Sequence, residues 1–156
     1  MEELSREEEN ERIAILKRFR QLLVLQRDRF RTYLESLDYQ KELIEHGNIE
    51  DFSEHVKLEE KIAGDILALQ KVIEPMQVLY EFSWREKEPA EMPQIKTALE
   101  NLRIDAKKRW DRNKELLQER MLRISNEIKN MRSNPFSKRQ SPYAATPAPS
   151  IIDITG

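Results

Sequence analysis

The sequence predicts an all-α fold, an elongated antiparallel three-helix bundle or coiled coil with a disordered C-terminal tail, and three observations carry that reading. Apolar residues recur at three- and four-residue steps through three long segments, helix breakers separate those segments at two places, and the periodicity stops after Arg132. A chain of 156 residues suits one domain. Charged residues reach 36% against 38% for the apolar set, which is lean for a thick core but suits helices whose outer faces are all water. The expected division is a bundle over residues 1–132, with helices near 5–46, 50–84 and 93–131, and a flexible Pro-rich tail over 133–156.

In the first segment Leu16, Leu23, Phe30, Leu37 and Ile44 recur every seven residues, with Phe19, Gln26, Tyr33 and Gln40 between them at heptad spacing. The two glutamines interrupt the stripe. Polar seam positions cost stability but fix register and partner number, so a bundle is expected rather than a uniform zipper. Gly47 is expected to supply a left-handed residue that closes this helix, and Asn48 with Asp51 resembles a capping pair that opens the next. The short connection then forces an antiparallel hairpin.

The second segment alternates three and four apart through Phe52, His55, Glu59, Ile62, Ile66, Leu69, Ile73, Met76 and Tyr80. Pro75 removes one backbone donor and crowds the preceding turn, so a kink or an early end is expected there, with Gly64 a further weak point. Residues 85–92 contain Pro89 and read as a loop, and Pro93 fits the first turn of a third helix. Along that helix Ile95, Leu99, Leu102 and Ala106 form one stripe. Trp110, Leu117, Met121, Ile124, Ile128 and Met131 continue it after a small phase shift. The seam is expected to be closed along most of its length. Asn134 and Pro135 end the helix, and Pro142, Pro147 and Pro149 keep the terminal segment extended.

Composition removes most chemistry. Three glycines, all far apart, cannot make a phosphate-cradling loop, and without cysteine there are no disulfides, thiolate metal sites or thiol nucleophiles. His46 and His55 are the only imidazoles; His55 and Glu59 share a helical face, but a hydrated bundle end explains them better than a metal site. No catalytic residue, metal or cofactor is expected, and the chain does not read as an enzyme. Six glutamates in the first twelve residues, with no apolar run after them, argue against a secretory signal, and no stretch is apolar enough to insert in a membrane, so the expected compartment is the cytoplasm.

Net charge is −2, yet its distribution is uneven. Six positive and one negative residue lie between Lys17 and Arg31, four and ten between Lys41 and Glu81, and ten and five between Arg103 and Arg132. This predicts an acidic second helix flanked by two basic ones. Lys107, Lys108, Arg109, Arg112 and Lys114 wrap round their helix at about 100° per residue and form no one-sided stripe, so nucleic acid is not an expected partner. The apolar row near the end of the third helix is different. If its cover is incomplete, Leu117, Met121, Ile124, Ile128 and Met131 form a surface for a partner helix. In the tail, Ile151, Ile152 and Ile154 make an apolar, β-prone cluster suited to docking.

The stretch from Tyr39 to Ile73, YQKELIEHGNIEDFSEHVKLEEKIAGDILALQKVI, resembles the FlgN family of flagellar type III export chaperones, which have a long first helix, a helix end of the type LI.GNIE.F and a charged second helix. The tail, with NPF at 134–136, Tyr143 and IIDI at 151–154, also resembles the ends of family members in some bacteria, spirochaetes among them. The resemblance implies a small cytosolic chaperone that binds the amphipathic termini of hook-filament junction proteins and delivers them, transiently, to the membrane protein of the export gate. Cargo contact would fall on Leu117, Met121, Ile124, Ile128 and Met131, and gate or partner docking on Phe136, Tyr143, Ile151, Ile152 and Ile154. Truncation before Asn113 is then expected to abolish the complex. The rival readings are a self-associating coiled-coil scaffold and, behind it, a nucleic-acid-binding bundle; a monomer or weak dimer is expected.

Overall fold

A computed structural model describes residues 2–133, with side chains from Ser5 onward. Three helices account for almost all of them: α1 (Glu2–His46), α2 (Ile49–Ser83) and α3 (Glu91–Ser133). No strand is present among the described residues, so the all-α bundle expected from periodicity is the fold. The helix ends fall within three residues of the expected bounds. The expected tail lies outside the described residues.

The turn between α1 and α2 is set by two adjacent residues. Asn48 Oδ1 accepts the Asp51 backbone N–H at 2.8 Å, and Glu50 and Asp51 put negative charge on the positive end of the α2 dipole. Gly47 acts differently from expectation: among the described residues no glycine has positive φ. What excludes a side chain is space, because a Cβ at Gly47 would lie 2.7 Å from the Leu43 carbonyl oxygen and 2.9 Å from Leu43 Cα. Pro75 does not end α2 either; the helix runs on to Ser83, where the Trp84 N–H caps it by donating to the Tyr80 carbonyl.

The order of packing corrects the charge-based expectation. The first helix lies against both others, whereas α2 and α3 make no close backbone approach to each other. Every ion pair that joins two helices among the described residues has one partner on α1: Arg29 with Asp65, Arg20 with Glu91, and Arg109 and Arg112 with Asp38. The first helix, basic only between Lys17 and Arg31, is therefore the central one, and the acidic second is not.

One end of the bundle is closed. Phe19, Leu22 and Leu23 of α1 meet Ile73 and Tyr80 of α2 and Met92 of α3 in the larger core, with the Phe19 and Tyr80 rings stacked 4.6 Å apart. Fully burying side chains of this size is worth about 1.5–3 kcal/mol each, so this cluster anchors all three helices. Trp84 and Arg12 lock the edge through reciprocal bonds: the indole N–H donates to the Arg12 carbonyl at 3.0 Å and Arg12 Nε donates to the Ser83 carbonyl at 2.9 Å. A smaller core of Leu43, Ile44 and Phe52 sits at the hairpin end. Between the two, the α1–α2 seam is polar: Gln26 donates to the Ile66 carbonyl, Tyr33 donates to Glu59 at 2.5 Å, and Ser36 faces His55. The seam glutamines Gln26 and Gln40 are both buried, as their heptad positions required.

Candidate functional site: an open groove and an overhanging helix

The hairpin end is where the expected closed seam fails. Here α2 and α3 lie on either side of α1 and leave a groove of about 730 Å³ between them. Gln40 and Ile44 of α1 form its floor, Phe52 and Val56 of α2 one wall, and Trp110, Leu117 and Met121 of α3 the other. Exposed Glu60 on the α2 rim and exposed Lys114 on the α3 rim put charge of opposite sign on the two edges of the trough, while Glu59, which also lines it, is buried and accepts the Tyr33 hydroxyl.

The helix that forms the far wall is held by polar groups. Asn113, only 3% exposed, donates to the Leu37 carbonyl at 2.8 Å and to Gln40 Oε1 at 3.1 Å. Arg109 and Arg112 both reach Asp38, at 2.9 and 3.2 Å. Arg120 donates to the Leu43, Ile44 and Gly47 carbonyls at the end of α1, where backbone acceptors run out of helical donors, although the Leu43 carbonyl also accepts the Gly47 N–H. A guanidinium satisfies several of them at once and places its charge at the negative pole of the α1 dipole.

These residues explain the phase shift. Met92, Leu99, Ala106, Asn113 and Arg120 stand seven apart and form the face of α3 that lies on α1. The seam stays in register and turns polar at Asn113, while the apolar row separates from it: Leu117 lies about 40° and Met121 about 80° round the helix from Asn113, toward the groove. Sequence reading missed Asn113 and Arg120 because it followed apolar residues. The signal available was the unbroken seven-residue step.

The five expected contact residues are brought together only in part. Leu117 packs beside the smaller core and lines the groove with Met121, both half-buried. Ile124 and Ile128 continue the row, half-buried but outside the groove, and Met131 is 61% exposed. Arg120 already reaches the Gly47 carbonyl at the turn, so the thirteen residues from Met121 to Ser133 continue past that contact for roughly 20 Å. Leu122, 62% exposed, joins the groove wall and is a further apolar group on this segment. Phe136, Tyr143, Ile151, Ile152 and Ile154 lie outside the described residues.

The two histidines lie in separate environments. His55 is buried against Ser36, with Nε2 and Oγ 3.5 Å apart, and its desolvation pushes the imidazole pKa below the usual value. It does not converge with His46, which sits with Glu42 and Glu45 in an exposed cluster on the last turns of α1. The basic residues of α3 are partly committed within the chain, since Arg109 and Arg112 bind Asp38 and Lys114 lies over the Trp110 ring. Among the described residues, no helix is long and apolar enough to cross a membrane.

No family model matches the chain, and no solved structure shows a significant match. The chain is similar to an uncharacterized protein of Treponema pallidum (strain Nichols), 42% identical over 76 residues, a stretch that covers 49% of each protein.

Proposed function

We propose that this chain is a cytosolic holding chaperone of the FlgN type, which takes the amphipathic helical terminus of a hook-filament junction protein and passes it to the membrane export gate. The supporting observation is the third helix, whose apolar row leaves its own seam, forms one wall of an open groove and continues beyond the hairpin. A guest helix would seat apolar residues at i, i+3, i+4 and i+7 along Leu117, Met121, Ile124 and Ile128. Its polar flanks would meet Glu60 on one rim and Lys114 on the other. Such a contact is small and amphipathic, which suits reversible holding. The commitment of Arg109 and Arg112 to Asp38 weighs against a nucleic-acid role, because it withdraws two cations from any phosphate.

Co-expression with tagged junction proteins from the same genome should recover a soluble complex. A Met121→Asp/Ile128→Asp double variant, altered only where the chain makes no core of its own, should remain folded and lose it. Capture undiminished in that variant would refute the assignment of the guest surface. Failure of every junction protein to bind the wild-type chain would refute the chaperone reading.

A further inference from the structure

The second half of α2 has two apolar faces, and α1 covers one of them. Ile66, Ile73 and Tyr80 point into the bundle, while Leu67, Val72, Val78, Leu79 and Phe82 are exposed by 66, 50, 66, 50 and 77%. The outward face has a period of its own: Gly64, Ala68, Lys71, Pro75, Val78 and Phe82 follow one another in alternating steps of four and three. All six are exposed. At about 1.5 Å per residue the row is roughly 27 Å long. A solvated helix face normally carries several charges, whereas this row has only Lys71 and is flanked by exposed Leu67, Val72 and Leu79, which marks an interaction surface.

We propose that this face binds a second copy of the chain, the two α2 helices crossing antiparallel about a two-fold axis beside Ile73. Size and charge single out this occupant. A two-fold axis there sets Gly64 opposite the partner's Phe82, Ala68 opposite the partner's Val78, and Lys71 opposite the partner's Pro75. The smallest side chains of the row therefore meet the largest, twice over by symmetry, and Lys71 comes within one position of the partner's Glu74. Gly64 supports the same conclusion independently. A Cβ at Gly64 would touch nothing within 4 Å, so no contact inside the chain requires glycine at an exposed mid-helix position where alanine is worth about 1 kcal/mol more. A phenyl ring lying over that position from a second copy does require it. A contact of one helix face per copy lies at the small end of stable interfaces, so the dimer is reversible. This proposal stands apart from the guest-holding reading, since the groove borders the first half of α2.

Sedimentation equilibrium of the full chain should show a monomer–dimer exchange with Kd between about 1 and 100 μM. Val78→Asp and Gly64→Gln should each weaken it at least about tenfold with helicity unchanged, because both positions are exposed in the single chain. The sequence has no cysteine, so a single introduced one reports register. A thiol linker of about 10 Å should join two copies through Lys71→Cys but not through Ser53→Cys, which antiparallel packing places some 60 Å apart. A chain that stays monomeric to several hundred micromolar, a dimer lost through Met121→Asp but not Val78→Asp, or linkage through both cysteines would each overturn the proposal.

Discussion

His55 turns a polar seam into a pH-dependent one. Its ring is buried beside Tyr39, Nε2 faces only Ser36, and Nδ1 has no hydrogen-bond partner among the described residues. One turn away Tyr33 donates to Glu59, and burial together with that carboxylate pushes the phenol pKa above its ordinary range, which keeps the donor proton in place at any physiological pH. For His55 burial disfavours the imidazolium, so the folded pKa lies below the unfolded value of about 6.5. Between those two values the unfolded chain binds more protons than the folded one. The contribution of the neutral ring is therefore complete above about pH 6.5 and is lost as pH falls from there through the lowered folded pKa, at up to about 1.4 kcal/mol per pH unit. Urea midpoints should be level between pH 8 and 7 and decline below pH 6.5. His55→Gln should flatten that decline; an equal slope in the variant would assign it to other groups.

At the scale of elements, the helices and the hairpin were legible because heptads, a glycine and an Asn–Asp cap are local signals. Their arrangement was less so. Charge patterning suggested that α2 is central, whereas the clamps that decide the matter are single residues, Asp38, Asn113 and Arg120, which composition cannot distinguish from ordinary surface groups. The groove was legible only as uncertain cover over Met121 and Met131; its cause, an apolar row diverging from a polar seam, needs both rows seen together. Gly47 was singled out for the right position and the wrong reason, since steric exclusion by Leu43 and positive φ leave the same mark on a sequence. Arg120 gives the test at this scale. Hydrogen bonds from a charged donor are worth about 1.5–3 kcal/mol net, so Arg120→Ala should lower unfolding free energy by roughly that amount in urea titrations. Arg120→Lys should recover little of it, because a single ammonium cannot span three carbonyls as a planar guanidinium does. Full recovery by lysine would reduce the clamp to a charge at a helix end.

The whole molecule divides its tasks lengthwise. The closed end joins three helices through one core, the middle fixes register with polar pairs, and the hairpin end ties α3 to α1 through Arg120 and then lets it run on. On the proposed function, folding and guest holding share Leu117 but otherwise fall on different residues, and a truncation can separate them only if it falls in the right place. A cut before Asn113 removes Asn113 and Arg120 together with the contact row, so loss of a complex could reflect loss of the bundle. A chain ending at Leu122 keeps both cores, the Asn113 bonds and the Arg120 clamp, and removes Ile124, Ile128 and Met131. It should unfold within about 1 kcal/mol of the full chain, since Ile124 and Ile128 are only half-buried and belong to neither core, while its affinity for a junction-protein terminus falls by at least about tenfold. Isothermal titration of both chains with the same helical peptide measures the second quantity and urea titration the first. Equal affinity would confine the guest to the groove and strip the overhang of its role; a large loss of stability would mean that the overhang belongs to the fold.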